Sequence, residues 1–204
     1  MVGEGGGVRV ELVGRLVRRF RWVDPGPASA HLVSDVSGWW RDADIMGEIG
    51  PALGELFRAD RPTVVVAPEV TGLLLGPLVA VALGVGFASA HKRPVPQDPG
   101  QGSAWPAAEQ RAIAEPTSWA RTGPDHRGRV LAFGVRDRHL AAGDRVLLVD
   151  DWVSTGAQAL AVRQVVEARG AELVGTAAIV ADCPADVARQ LRLRALLTAA
   201  ELGP

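Results

Sequence analysis

The chain has 204 residues, 48% hydrophobic and 22% charged, with one cysteine and a formal net charge of −1. That length suits one domain with a full core. The lone Cys183 excludes a disulfide-stapled scaffold and a C-x-x-C zinc site, and points to a reducing, cytoplasmic setting. With 22 basic against 23 acidic residues, there is no electrostatic footprint for nucleic acid, so any anionic partner must be held locally.

Met1 to Gly7 is acidic and Gly-rich and lacks the regions of an export signal. Residues 8–20 mix strand-like alternation with helical spacing and read as an appendage ahead of the core, ended by the turn Asp24-Pro25-Gly26-Pro27. Ile45, Ile49, Leu53, Leu56 and Phe57 form the stripe of an amphipathic helix within 41–60. The β-branched run Thr63–Ala67 reads as a buried parallel strand, followed by a helix over 73–83 and a strand over 85–90, a β-α-β unit. The uncharged stretch Val70–Ala90 is long enough for a membrane span. Gly72, Gly76, Pro77, Gly84 and Gly86 punctuate it, however, and favour a buried helix turning into a strand. Pro94–Gly128, rich in Pro and Gly, reads as one long irregular connection of the kind that forms a lid. Strands then return at Val130–Val135, Arg145–Asp151 and Leu173–Val180, with a helix from Gly156 to Arg169 stopped by Gly170. Alternating strands and helices predict an α/β, doubly wound, mostly parallel sheet, whose ligands bind beyond the carboxyl ends of the strands.

Two strand ends carry chemistry. Val146-Leu-Leu-Val-Asp-Asp-Trp-Val-Ser-Thr-Gly-Ala-Gln158 runs a buried strand into two acids, then into a small-residue loop with two hydroxyls that opens a helix. Amides at such a loop, backed by the positive helix end, make a nest for phosphate. Carboxylates just upstream suit the hydroxyls of the group bearing that phosphate. A helix cap alone needs one acceptor, whereas this stretch offers two acids and two hydroxyls.

This stretch resembles the ribose-phosphate loop of type I phosphoribosyltransferases, matching at Asp150, Asp151, Thr155 and Gly156 and departing at Ala157 and Gln158. Val66-Ala-Pro-Glu-Val-Thr-Gly72, with the helix and Leu83-Gly-Val-Gly-Phe87 that follow, is similar to the adenine subgroup; Glu69 and Gly72 match, and Thr71 stands where an Arg is usual. The resemblance implies transfer of a 5-phosphoribosyl group from phosphoribosyl diphosphate (PRPP) to a nitrogen nucleophile, with Mg²⁺ as cofactor and diphosphate as leaving group. It implies PRPP contacts at Asp150, Asp151, Ser154, Thr155, Gly156, Ala157 and Gln158, with Asp150 and Asp151 catalytic and touching the metal only through the ribose hydroxyls. It implies diphosphate contacts at Glu69, Val70, Thr71, Lys92 and Arg93.

It also implies a small N-terminal hood over residues 1–35, a core over 36–204 and a flexible loop at about 94–128, where Trp105, Glu109, Glu115, Trp119 and Asp125 are lid candidates. Val33, Ser34 and Trp152 are the acceptor-binding candidates; the alternative for Trp152 is a core or interface role. Ser154, where 6-oxopurine relatives carry an Asp, disfavours hypoxanthine and guanine. Three readings stay open: an enzyme acting on adenine or an adenine-like base, one acting on a non-purine acceptor in specialised metabolism, and a non-catalytic PRPP or nucleotide sensor. The expected partners are PRPP, a small-molecule acceptor and a second copy in a homodimer, with no nucleic acid and no membrane.

Overall fold

The computed structural model describes residues 4–26, 32–95, 115–123 and 130–203. Its elements in chain order are α1 (Glu4–Arg19), β1 (Arg21–Val23), β2 (Val33–Asp35), α2 (Ser37–Arg41), α3 (Ala43–Glu55), β3 (Val64–Pro68), α4 (Gly72–Leu83), β4 (Gly86–Pro94), β5 (Thr117–Arg121), β6 (Leu131–Arg136), β7 (Arg145–Val153), α5 (Ala157–Ala168), β8 (Glu172–Ala181), α6 (Ala185–Gln190) and β9 (Leu193–Thr198). Seven strands form one sheet in the order β5-β6-β4-β3-β7-β8-β9. The run β4-β3-β7-β8-β9 is parallel, and β6 and β5 add antiparallel strands at one edge. β1 and β2 make a separate antiparallel hairpin.

The fully buried strand β3 sits at the centre because Val64–Ala67 have apolar neighbours on both faces. On one face, Leu12 and Leu16 of α1, Ile45, Ile49 and Leu53 of α3, and Leu75 and Val79 of α4 pack on Val65, Ala67, Leu147 and Val149. On the other, Ala159, Val162, Val165 and Val166 of α5 pack on Val64, Val66, Val146 and Leu148. The chain leaves β3 toward β4 on one side, while β7 pairs with β3 on the other, Val64 opposite Val146. The sheet therefore reverses winding between β3 and β7, where open α/β sheets bind ligands.

Several expectations change. Residues 8–20 are not an appendage: Leu12 and Leu16 of α1 and Phe20 just past its end, spaced by four, are buried in the main core. Pro94–Gly128 is not wholly irregular, since Thr117–Arg121 pairs with β6; residues 96–114 and 124–129, with Trp105, Glu109 and Asp125, lie outside the described residues. The chain beyond Val180 adds α6 and the edge strand β9, neither anticipated. The stretch Val70–Ala90 is divided between α4 and β4, and no helix among the described residues is long and apolar enough to cross a membrane.

Candidate functional site

At the end of β7 strict alternation fails across the two acids, since Val149 and Trp152 both pack on the α1/α3/α4 core. Asp150, one residue on from Val149, faces away from it. Asp150 is only 7% exposed. Burial, then the neighbouring Asp151 charge, holds its carboxyl well above the usual carboxylate range. Asp151 is also raised by burial, opposed by hydrogen bonds that include one from Thr71. The Asp151 amide donates to Asp150 Oδ1 at 3.0 Å, and the Lys92 ammonium favours the charged form of Asp150. The ends of β3, β4 and β7 thus converge on one carboxylate pair.

Beyond the pair, Ser154 and Thr155 are exposed, and the Ala157 amide donates to Thr155 Oγ1 at 3.3 Å. Gly156 caps α5 with φ of 72°. A side chain there would be strained and would strike Val187 Cγ1 at 2.4 Å. The first-turn amides of α5 lack intrahelical acceptors, so the loop presents donors and the positive helix end together. A concavity runs along Asp150 and Trp152 to Ala159, including Gln158. Six of the seven residues expected at PRPP, all but Asp151, line this concavity.

The second loop is more divided. The Glu69–Val70 peptide is cis, and Val70 is 70% exposed. The Glu69 carboxylate is taken up by the protein: Oε1 lies 3.0 Å from His91 Nδ1, and Oε2 accepts the Lys92 amide at 2.8 Å. His91 Nε2 in turn lies 3.2 Å from Ser89 Oγ. Glu69 therefore ties its loop to β4 and offers little to an anion. Lys92 and Arg93 are adjacent on a strand and face opposite sides. Lys92 acts on Asp150, while the Arg93 guanidinium sits 4.0 Å from the Trp119 ring centroid, away from the carboxylates. Glu115 is occupied by ion pairs to Arg136 and Arg138.

Trp152 is half-buried among aromatic rings. Phe20 lies 6.0 Å from it at 32°, Trp22 of the hairpin 6.0 Å at 75°, and its indole N–H donates to Asp182 Oδ2 at 3.2 Å. Val33 and Ser34 are exposed on β2. Sequence reading missed His91, Asp182 and Trp22. Only His91 left a trace, as the residue two along the strand from Ser89.

Residues 44–192 match the family model for the phosphoribosyl transferase domain. The chain belongs to the phosphoribosyltransferase family. Its match to the adenine phosphoribosyltransferase of Myxococcus xanthus is 32% identical over 164 residues, spanning 80% of this chain and 79% of that protein. Its match to the xanthine phosphoribosyltransferase of Brevibacillus brevis is 30% identical over 139 residues, spanning 68% and 63%. In fold it is similar to the adenine phosphoribosyltransferase of Trypanosoma brucei, solved with AMP, pyrophosphate and ribose-5-phosphate, at TM-score 0.75 and 20% identity over 94% of this chain and 81% of that one. It is also similar to the Leishmania donovani enzyme, at TM-score 0.70 and 22% identity over 93% and 80%. The type I phosphoribosyltransferase fold expected from the two strand-end motifs is the fold observed, and the activity is that of a PRPP-dependent pentosyltransferase.

Proposed function

We propose that the acceptor is adenine or an adenine-like base and that PRPP binds across the β3–β7 switch point, with its 5′-phosphate in the Ser154–Gln158 loop and its ribose hydroxyls on Asp150 and Asp151. The observation that carries this reading is the carboxylate pair, Asp150 buried and Asp151 half-buried, set one short loop before a glycine-capped helix N-terminus. In the transfer, the base nitrogen bonds to C1 of the ribose as the C1–O bond to diphosphate breaks, and the proton of the nitrogen passes to the departing diphosphate or to water. Positive charge develops on the ribose ring. Asp150 and Asp151, fixed beneath it and desolvated, stabilise that charge without reorganising. Thr71 and Lys92 face the departing diphosphate, Lys92 as its cation; Val70 and Thr71 contribute backbone amides, and Glu69 holds their loop in place.

Among the described residues, no three His, Cys, Asp or Glu side chains gather as a metal cage. Mg²⁺ would be held through substrate oxygens, with Asp150 and Asp151 orienting the ribose hydroxyls that reach it. When bound, it neutralises the leaving group.

Val33 and Ser34 of the hairpin are assigned to the acceptor side. A second copy of the chain is assigned to the outer face of α4, where Val81 is 82% and Leu74 47% exposed, with Pro77 between them and no charge on the helix. A face of this kind is ordinarily covered. The test is product formation from PRPP and Mg²⁺ with adenine, xanthine, hypoxanthine and a set of non-purine amines. Adenine should give a nucleoside monophosphate and diphosphate. Exclusive use of xanthine would move the acceptor to the chemistry named for the Brevibacillus relative. Tight PRPP binding without turnover of any acceptor would favour a sensor.

A further inference from the structure

The β1–β2 hairpin has strands of three residues each and, among the described residues, pairs only with itself. A two-stranded ribbon of that length does not hold its shape in water, so its position depends on what it is fastened to. Beyond the chain links to α1 and α2 at its two ends, Trp22 is its side-chain fastening to β7 and the C-terminal segment. Its ring meets Phe20 at 5.0 Å and 86° and Trp152 at 6.0 Å and 75°, and its indole N–H donates to the Gly203 carbonyl.

Trp152 is itself fixed from the core side. It ends a row of rings in which Phe20 lies 6.0 Å from both Trp152 and Trp39, and Trp39 is fully buried with its indole N–H on the Leu16 carbonyl at 2.9 Å. The indole N–H, at the exposed end of the ring, has a protein partner. That partner is Asp182, at 3.2 Å, held level with Trp152 because the Asp182 amide donates to the Val153 carbonyl at 2.9 Å.

We infer that Trp22, Trp152 and Asp182 form a clasp that fixes the N-terminal hairpin to the catalytic strand, making Trp152 and Asp182 positioning residues for the acceptor side of the site. Trp152 follows Asp151 directly and precedes the phosphate loop, so the same strand that orients PRPP also carries the post on which the hairpin hangs. The indole serves through its fixed place in the ring row and its N–H. The functional half of the inference rests on the acceptor lying beneath the hairpin.

The clasp is tested by amide hydrogen exchange of the unliganded full-length chain, alongside PRPP affinity and acceptor KM. Trp22→Leu and Asp182→Ala should speed exchange at 21–23 and 33–35 about five- to tenfold, the scale of one lost hydrogen bond or aromatic edge contact. Exchange in β3 and β7 should stay unchanged. Acceptor KM should rise by a similar factor at unchanged PRPP affinity. Asp182→Asn keeps an accepting oxygen and should restore hairpin protection. Trp152→Phe, which keeps the ring and loses the N–H, should behave as Asp182→Ala does. Unchanged hairpin exchange in both Trp22→Leu and Asp182→Ala would overturn the clasp. Faster hairpin exchange with an unaltered acceptor KM, or a parallel loss of PRPP affinity, would overturn its role in acceptor binding. Failure of the wild type to use any purine would count against the acceptor assignment, and the exchange data would then decide the clasp independently.

Discussion

Asp150 carries the largest cost in the site. The folded chain binds its carboxyl proton more tightly than the unfolded chain does, because burial and Asp151 both oppose ionisation. The stability this confers is complete below the ordinary value of 3.8 and is lost as pH rises through the raised folded value. The ligand-free protein should therefore lose thermal stability as pH rises across that window. Asp150→Asn should flatten the profile and raise Tm at pH 7 by about 2–4 °C for each kcal/mol relieved. It should also lower turnover by about 100- to 1000-fold, the scale for losing one fixed electrostatic group. Superimposable Tm profiles for variant and wild type would contradict this account. Asp150 to Gln158 was legible in sequence because its chemistry is contiguous: strand, acids, hydroxyls and helix start follow within one stretch. Arg93 was read together with its neighbour Lys92, whereas strand alternation places the two on opposite faces and Arg93 lies over the Trp119 ring. Asp182 and Trp22 gave no signal, since their partner Trp152 is distant in sequence and the link exists only once β7, β8 and the hairpin have met.

The helices that support β3 depend on close backbone approach. A Cβ at Gly50 in α3 would lie 2.7 Å from the Leu78 carbonyl oxygen and 2.8 Å from its carbon in α4, atoms that cannot swing aside. Gly50→Ala should destabilise the chain by about 1–3 kcal/mol in denaturant titration, against the intrinsic preference of helices for Ala. Gly47 on the same helix has nothing within 4 Å of its Cβ position, so Gly47→Ala should stabilise by up to about 1 kcal/mol. Equal effects at the two sites would refute the packing argument. At this scale the buried strands β3, β7 and β8 and the helices α3, α4 and α5 were readable from apolar runs and fourfold spacing. β5 was hidden inside a Pro- and Gly-rich connection, where Thr117–Arg121 gains its strand character only from pairing with β6. β9 and α6 are short and mixed in polarity, and β9 is specified by the waiting edge of β8.

Across the whole molecule, the winding of the sheet brings two loops from distant parts of the sequence to one switch point and leaves the apolar outer face of α4 uncovered. The homodimer assignment predicts a sedimentation mass of two chains, and Val81→Glu should shift it to one chain at equal concentration; a monomeric wild type would refute the assignment. The joining of the two loops is the central claim, and calorimetric titration with PRPP in the presence of Mg²⁺ tests it most directly. The wild type should bind one PRPP per chain, and Asp150→Asn combined with Asp151→Asn should abolish the binding while leaving a folded protein at least as heat-stable as the parent. Undiminished PRPP affinity in that folded double variant would contradict it.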